Sequence, residues 1–303
     1  MQELIRRSEN IERAAWASLY RAASGQARRR LGLQVVERDG VTFLSASRLD
    51  HLLLNRAIGL GTSTDPGTDA VAQAVKHFER RNIPHFWIHM GSGLRYSELP
   101  GLLLEQGLTP YSRSWMKFVR RTAPVEEFPC ELKIRTAAPR DARRVGQILA
   151  PAFDLPEEAG ALLAGGIDLH GWNYFVAQDD HHIVAAAAIY TKGDDGYLAF
   201  AATVPEARRR GCQQALGAAR LERAQYLGCK RVFSETGMPV EGQPGSSYRN
   251  LLRAGFDKLH VRDNFAPEGT GWQSHPSSDA IAKSVVSPKQ SRTWLKAAVP
   301  SGS

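Results

Sequence analysis

The sequence has few cysteines. The three in 303 residues, Cys130, Cys212 and Cys229, form no CxxC spacing and stand beside no histidine pair. That argues against a disulfide framework and a zinc site, predicts no bound metal, and suits a reducing, cytoplasmic setting. Long hydrophobic runs are missing too. The most apolar stretch, IVAAAAIY at residues 183–190, is far too short to span a bilayer and reads as a buried strand, so no membrane partner is expected. The stretch MQELIRRSENIERAAW carries Glu3, Glu9 and Glu12 and lacks an apolar segment followed by a cleavage site, which predicts no secretory leader. Hydrophobic residues at 43% and charged residues at 23% are ordinary for a globular chain and exclude wholesale disorder. Acidic residues are the scarcer sign, 31 against 39 basic ones. The resulting charge of +8 favours anionic partners without choosing among nucleic acid, lipid headgroups and a phosphorylated small molecule.

A chain of this length suits two domains better than one small core. The stretch RRTAPVEEFPCE, residues 120–131, mixes prolines with charges and interrupts the apolar rhythm. It divides the chain into a domain at 1–122, a linker at 123–131 and a second domain at 132–266. Residues 267–303, rich in Ser, Pro and Gly, read as a flexible tail. The second half opens with a strand and a helix. The strand-like runs NYFVAQDD, IVAAAAIY and GYLAFAATV follow as a meander, then a helix from about residue 211, the strand KRVFSET, the helix SSYRNLLRAGF and a last strand. The first half repeats the ending: Leu103, Leu104 and Gly107 share the spacing of Leu251, Leu252 and Gly255. This suggests duplication of one α+β domain type, with chance similarity of amphipathic segments as the alternative.

Between strand and helix lies VPEARRRGCQQAL, residues 204–216. Three arginines just before a helix oppose its dipole, so something negative is expected there. A strand, a turn and a helix start let successive backbone N–H groups converge on an anion, and Gly211 admits close approach. Standing alone, the arginines would read as a solvated charge run. A nucleic-acid site would need interleaved aromatics; none stand near, and no nucleic-acid partner is expected.

The stretch is similar to the acyl-CoA-binding motif of the GNAT acetyltransferase superfamily, R/Q-x-x-G-x-G/A, with Arg208 first and Gly211 fourth. Pro205, the strand GYLAFAATV and the late helix ending in Gly-Phe agree with it, and the resemblance covers roughly residues 131–265. It implies two GNAT-like domains, each a mixed, mainly antiparallel twisted sheet flanked by helices, the first a degenerate copy. It further implies an N-acetyltransferase taking acetyl-CoA as cosubstrate and an amine, small or protein-borne, as acceptor, by direct attack in a ternary complex. Cofactor binding would fall to Ala202, Thr203, Val204, Arg208, Arg209, Arg210, Gly211, Cys212, Gln213, Gln214 and Asn250.

Two departures stand out. Gln213 replaces the second small residue, where it either crowds a pyrophosphate or offers it a donor. Leu251 occupies the place of the tyrosine that protonates the leaving thiolate in many members. Tyr248, one turn earlier, is the substitute acid or plain packing. Glu235, ending KRVFSET, is the nearest base, or a surface carboxylate. His170, Trp172 and Tyr174 line an acceptor pocket or belong to the core, and His85, Trp87 and His89 share one strand face. In the first half GLGTSTDPGTDA carries Asp65 and Asp69 where phosphate would need arginine, so one CoA per chain is expected. A non-catalytic acyl-CoA-binding or regulatory module is the alternative function, with a basic nucleic-acid-binding protein ranked behind it.

Overall fold

The alternating helical and strand periods form a mixed sheet with helices on both faces. The structure, a computed structural model, describes residues 1–62, 67–91, 98–125, 128–239 and 245–271; Asp65 and residues 272–303 of the tail lie outside them. In chain order run α1 (Gln2–Ala22), α2 (Gly25–Leu31), β1 (Leu33–Arg38), β2 (Val41–Ala46), β3 (Arg56–Ile58), α3 (Gly67–Glu79) and β4 (Trp87–Gly91). Then come α4 (Leu99–Glu105), β5 (Leu108–Pro110), β6 (Trp115–Arg121), β7 (Lys133–Thr136), α5 (Ala142–Ala152), α6 (Gly160–Leu163), β8 (Trp172–Asp179) and β9 (His182–Lys192). The last elements are β10 (Asp195–Thr203), α7 (Cys212–Tyr226), β11 (Arg231–Gly237), α8 (Ser246–Arg253) and β12 (Asp257–Pro267). The sheet order is β1-β2-β3-β4-β12-β6-β11-β10-β9-β8-β7, with β5 beside β12.

This order has an internal symmetry. From one side β1-β2-β3-β4 continues into β12; from the other β8-β9-β10-β11 continues into β6. Each series pairs antiparallel, antiparallel, parallel, antiparallel, the parallel pairs being β3 with β4 and β10 with β11. The closing strands are exchanged: β6 precedes residue 122 yet pairs with β11, while β12 pairs with β4, and the two meet antiparallel in the middle. The repeated Leu-Leu-Gly motif ends α4 and α8 alike. Gly107 at φ 75° and Gly255 at φ 74° adopt the left-handed turn that stops a helix, and each N–H donates to the carbonyl three residues back, Leu104 or Leu252.

Helix α1 crosses the middle of the sheet with an inner stripe that is only partly apolar. Ile5, Ile11, Ala15, Trp16 and Leu19 are buried on it, and so are Glu9 and Glu12. Glu12 meets Arg56 (3.2 Å), Lys117 (2.6 Å) and Arg262. Lys117 and Arg262 also reach Glu235, at 2.8 and 2.9 Å, and Glu9 lies 3.4 Å from Arg262. Three carboxylates thus face three cations in the interior. Burial pushes the Glu12 carboxyl up, but Arg262, Lys117 and Arg56 together hold it well below its ordinary value.

Removing one partner of such a cluster leaves an uncompensated buried charge. Glu12→Gln is therefore expected to destabilise the chain by about 3–5 kcal/mol in denaturant unfolding. An unchanged midpoint would show that α1 does not depend on the cluster.

The neighbouring histidines give a pH signature. Burial, with Arg262 and Arg56 nearby, lowers His89 well below its ordinary value, and burial beside Lys117 lowers His260 to about 4. Unfolded, each titrates near 6.5. Between about 4 and 6.5 the unfolded chain therefore binds protons that the native state refuses. Their contribution is fully present above 6.5 and falls as pH drops toward about 4, by up to about 1.4 kcal/mol per pH unit for each histidine. Thermal unfolding across this range should show the slope, and His260→Asn should flatten it; an equal slope in the variant would remove His260 from the account.

Candidate acyl-CoA cleft

Strands β10 and β11 run together only at their start, where residues 195–197 pair with residues 231–233. Beyond Tyr197 they part. β11 stays in register with β6 through Gly237, while β10 stays with β9 past a bulge between Leu198 and Ala201. Ser234 still donates to Leu198 O, at 3.4 Å, across the point of separation. The cleft so formed opens beside the loop that joins β10 to α7.

That loop has a defined path. The Val204 N–H donates to Val184 O at 2.9 Å, a 3₁₀ turn covers Pro205–Ala207, Arg208 is extended, and Arg209 and Gly211 lie in the left-handed region at φ 66° and 79°. Left-handed backbone at Arg209 costs energy that a glycine would not, a feature that concentrates at functional sites. The N–H groups of Arg209, Arg210, Gly211 and Gln213 find no backbone acceptor among the described residues, and the first turn of α7 holds no acidic side chain. Free donors at a helix start form an anion-binding cradle.

The side chains divide the work unevenly. Arg210 is turned aside, bonding Asp179 on β8 (2.5 Å) and Glu131 (3.0 Å), whereas no ion pair engages Arg208 or Arg209 among the described residues. Gln213 reaches back to Thr203 Oγ1 at 2.9 Å and braces the end of β10 against α7. Cys212 is buried and its thiol donates to Ala207 O; Cys130 does the same to Arg210 O. Gly211 is needed for a reason the sequence did not show. A Cβ there would stand 2.5 Å from Pro129 O, so the missing side chain admits the close approach of that backbone.

Other expected residues fall into three places. Glu235 joins the buried cluster and also accepts from the Tyr197 hydroxyl at 3.1 Å. Tyr248 lies on α8, its ring edge-on to Phe118 and covered by Lys258, in the same core that Leu251 lines; Asn250 is half-buried on that helix. The acceptor-pocket candidates separate: His170 is exposed, while Trp172, which donates to Ser18, and Tyr174, which donates to Leu163 O, pack against each other with both rings buried in the core. His85 precedes β4 and bonds Asp50 at 2.7 Å, while His89 is buried, held by Asn264 at 2.6 Å. No metal-ligand cluster occurs among the described residues, and none of their helices is long and apolar enough to cross a membrane.

Residues 143–243, which hold the cleft and the loop, match the model of the acetyltransferase (GNAT) family. That stretch is a GNAT domain, and the family's general chemistry is acyl-CoA-dependent acyl transfer. Solved structures extend the fold likeness to most of the chain. A GCN5-related N-acetyltransferase from Kribbella flavida is similar at 19% identity and a TM-score of 0.56, covering 83% of this chain and 96% of its own. One from Sphaerobacter thermophilus gives 18% and 0.55, covering 80% and 78%. A tandem GNAT protein from the clavulanic acid biosynthesis pathway gives 12% and 0.50, covering 72% and 76%. No curated protein matches the chain.

Because Gly211 combines a left-handed backbone with the Pro129 contact, Gly211→Ala should destabilise the fold by about 1–3 kcal/mol. Gly217→Ala, where a Cβ meets nothing within 4 Å, should be neutral or slightly stabilising. Thermal unfolding of the two variants makes the comparison, and a Gly211→Ala variant as stable as the parent would refute the packing account.

Proposed function

We propose that the chain is an acyl-CoA-dependent N-acyltransferase that moves an acetyl group to an amine by direct attack, using only its second half. The observation that carries this reading is the parting of β10 and β11 beside the free N–H groups of the loop at residues 209–213. A strand gap with unused backbone edges suits an extended pantetheine arm, and the loop at its mouth suits a pyrophosphate. In this reading Ala202, Thr203 and Val204 border the arm. Arg208 and Arg209 supply charge, the backbone N–H groups from Arg210 through Gln213 supply donors, Gln214 follows them with its own N–H held by Gly211 O, and Asn250 faces the cofactor from α8. Acetyl-CoA would bring the activated thioester; the chain would orient it and manage protons.

Proton handling is assigned to two groups. Glu235 serves as base through Tyr197, whose hydroxyl it already holds. Tyr248 serves as acid for the departing thiolate. The first half is read as a degenerate copy, divided from the second at residues 123–131. The mirrored strand order and matched helix ends favour common ancestry, and Asp69 sits in the first turn of α3 where the first turn of α7 has no acid. A second reading, a non-catalytic acyl-CoA-binding module, is favoured by Leu251 in the tyrosine place and by the packing of Tyr248 against Phe118.

Titration with acetyl-CoA is expected to give one site per chain and to raise the melting temperature, by about 2.7 kcal/mol of stabilisation at a hundredfold excess over Kd. Absence of binding at millimolar ligand ends the cofactor assignment, and two sites would mean that the first half binds as well. CoA release with a panel of amines then separates enzyme from binding module.

A further inference from the structure

Arg220 projects from α7 into the sheet and is only 6% exposed. Its Nε donates to Leu216 O at 3.0 Å, and its Nη1 reaches two strand carbonyls, Ala188 O on β9 and Phe200 O on β10, each at 3.4 Å. No carboxylate pairs with it among the described residues, and burial lowers it to about 10. Its neighbours on the inner face of α7 are Leu216, Leu221 and Ala224. An apolar side chain would suit that surface better than a lone guanidinium, because burying an uncompensated charge is costly.

The carbonyls it holds explain the position. Phe200 lies in the bulge of β10, where residues 199 and 200 interrupt the ladder with β9, and Ala188 lies opposite it. A bulge disrupts the ladder locally, and here the guanidinium lies within reach of one carbonyl from each strand. A peptide unit is planar, so the N–H of Ala201 points opposite to the carbonyl of Phe200. With that carbonyl drawn toward β9 and α7, the Ala201 N–H is directed toward the side that β11 leaves open.

We infer that Arg220 is a positioning residue for acyl transfer. It turns the Phe200–Ala201 peptide so that its N–H faces the thioester oxygen, and its charge polarises the peptide into a stronger donor as that oxygen gains charge. The inference rests on the acyl-CoA reading of the cleft.

The test is infrared difference spectroscopy of the full-length protein with acetyl-CoA labelled with ¹³C at the thioester carbonyl. In the parent protein the bound carbonyl band should lie below its position in free acetyl-CoA. In Arg220→Met it should return toward the free position, with acetyl-CoA affinity kept within about threefold and kcat for any accepted amine lowered about tenfold at unchanged KM. Arg220→Lys keeps the cation and should recover part of the shift. Should Arg220→Met fail to fold, Arg220→Gln, which keeps a donor without charge, is read in the same way. An unshifted band in the parent, or a parent-like band in Arg220→Met or Arg220→Gln, overturns the role of Arg220. A parent protein that does not bind acetyl-CoA instead overturns the acyl-CoA reading itself.

Discussion

The contact of Glu12 with Arg56, Lys117 and Arg262 is the constraint around which the two halves are arranged. Its four members come from α1, β3, β6 and β12, elements up to 250 positions apart in the chain. Each buried charge is tolerable only because the others are present, so the elements can be buried only together. The exchange of closing strands follows the same logic: β6 carries Lys117 to the second-half strands, and β12 carries Arg262 to the first-half strands. Through Glu235 and Tyr197 the cluster reaches the point where β10 and β11 separate. The edge of the cleft is thereby tied to the most buried ionic contact among the described residues.

Much of the second half was legible in the sequence because its signals are local. Strand runs bounded by Gly and Asp turns, the arginine loop and the Leu-Leu-Gly helix ends each need only a dozen residues to be read, and the structure realises them in that order. The cluster was not legible, since Glu12 and Lys117 pair across 105 positions and each resembles an ordinary solvated charge. One signal was present: Glu9 and Glu12 lie on the same helical stripe as Ile5 and Trp16, which is an odd place for carboxylates unless cations meet them. Arg220 was visible in the same way, as a cation on the apolar face of α7. Gly211 shows the opposite error. The sequence marks the glycine but not its neighbour, because the approach of Pro129 is a tertiary fact.

Gly59, in the loop of the first half, makes the same point about glycines. A Cβ at Gly59 would stand 2.7 Å from Gly40 O, as one at Gly211 would meet Pro129 O, so in both loops a glycine yields to a protein carbonyl. Glycine therefore cannot be what distinguishes the two loops. The difference lies at the helix starts. Helix α3 carries Asp69 in its first turn, so its positive end already has a carboxylate beside it. Helix α7 has no acidic residue there and has Arg208 and Arg209 just before it, an arrangement unfavourable to a bare helix. On the proposed reading a dianionic pyrophosphate would relieve the second arrangement and be repelled by the first, and a near-symmetric scaffold would then hold one cofactor rather than two.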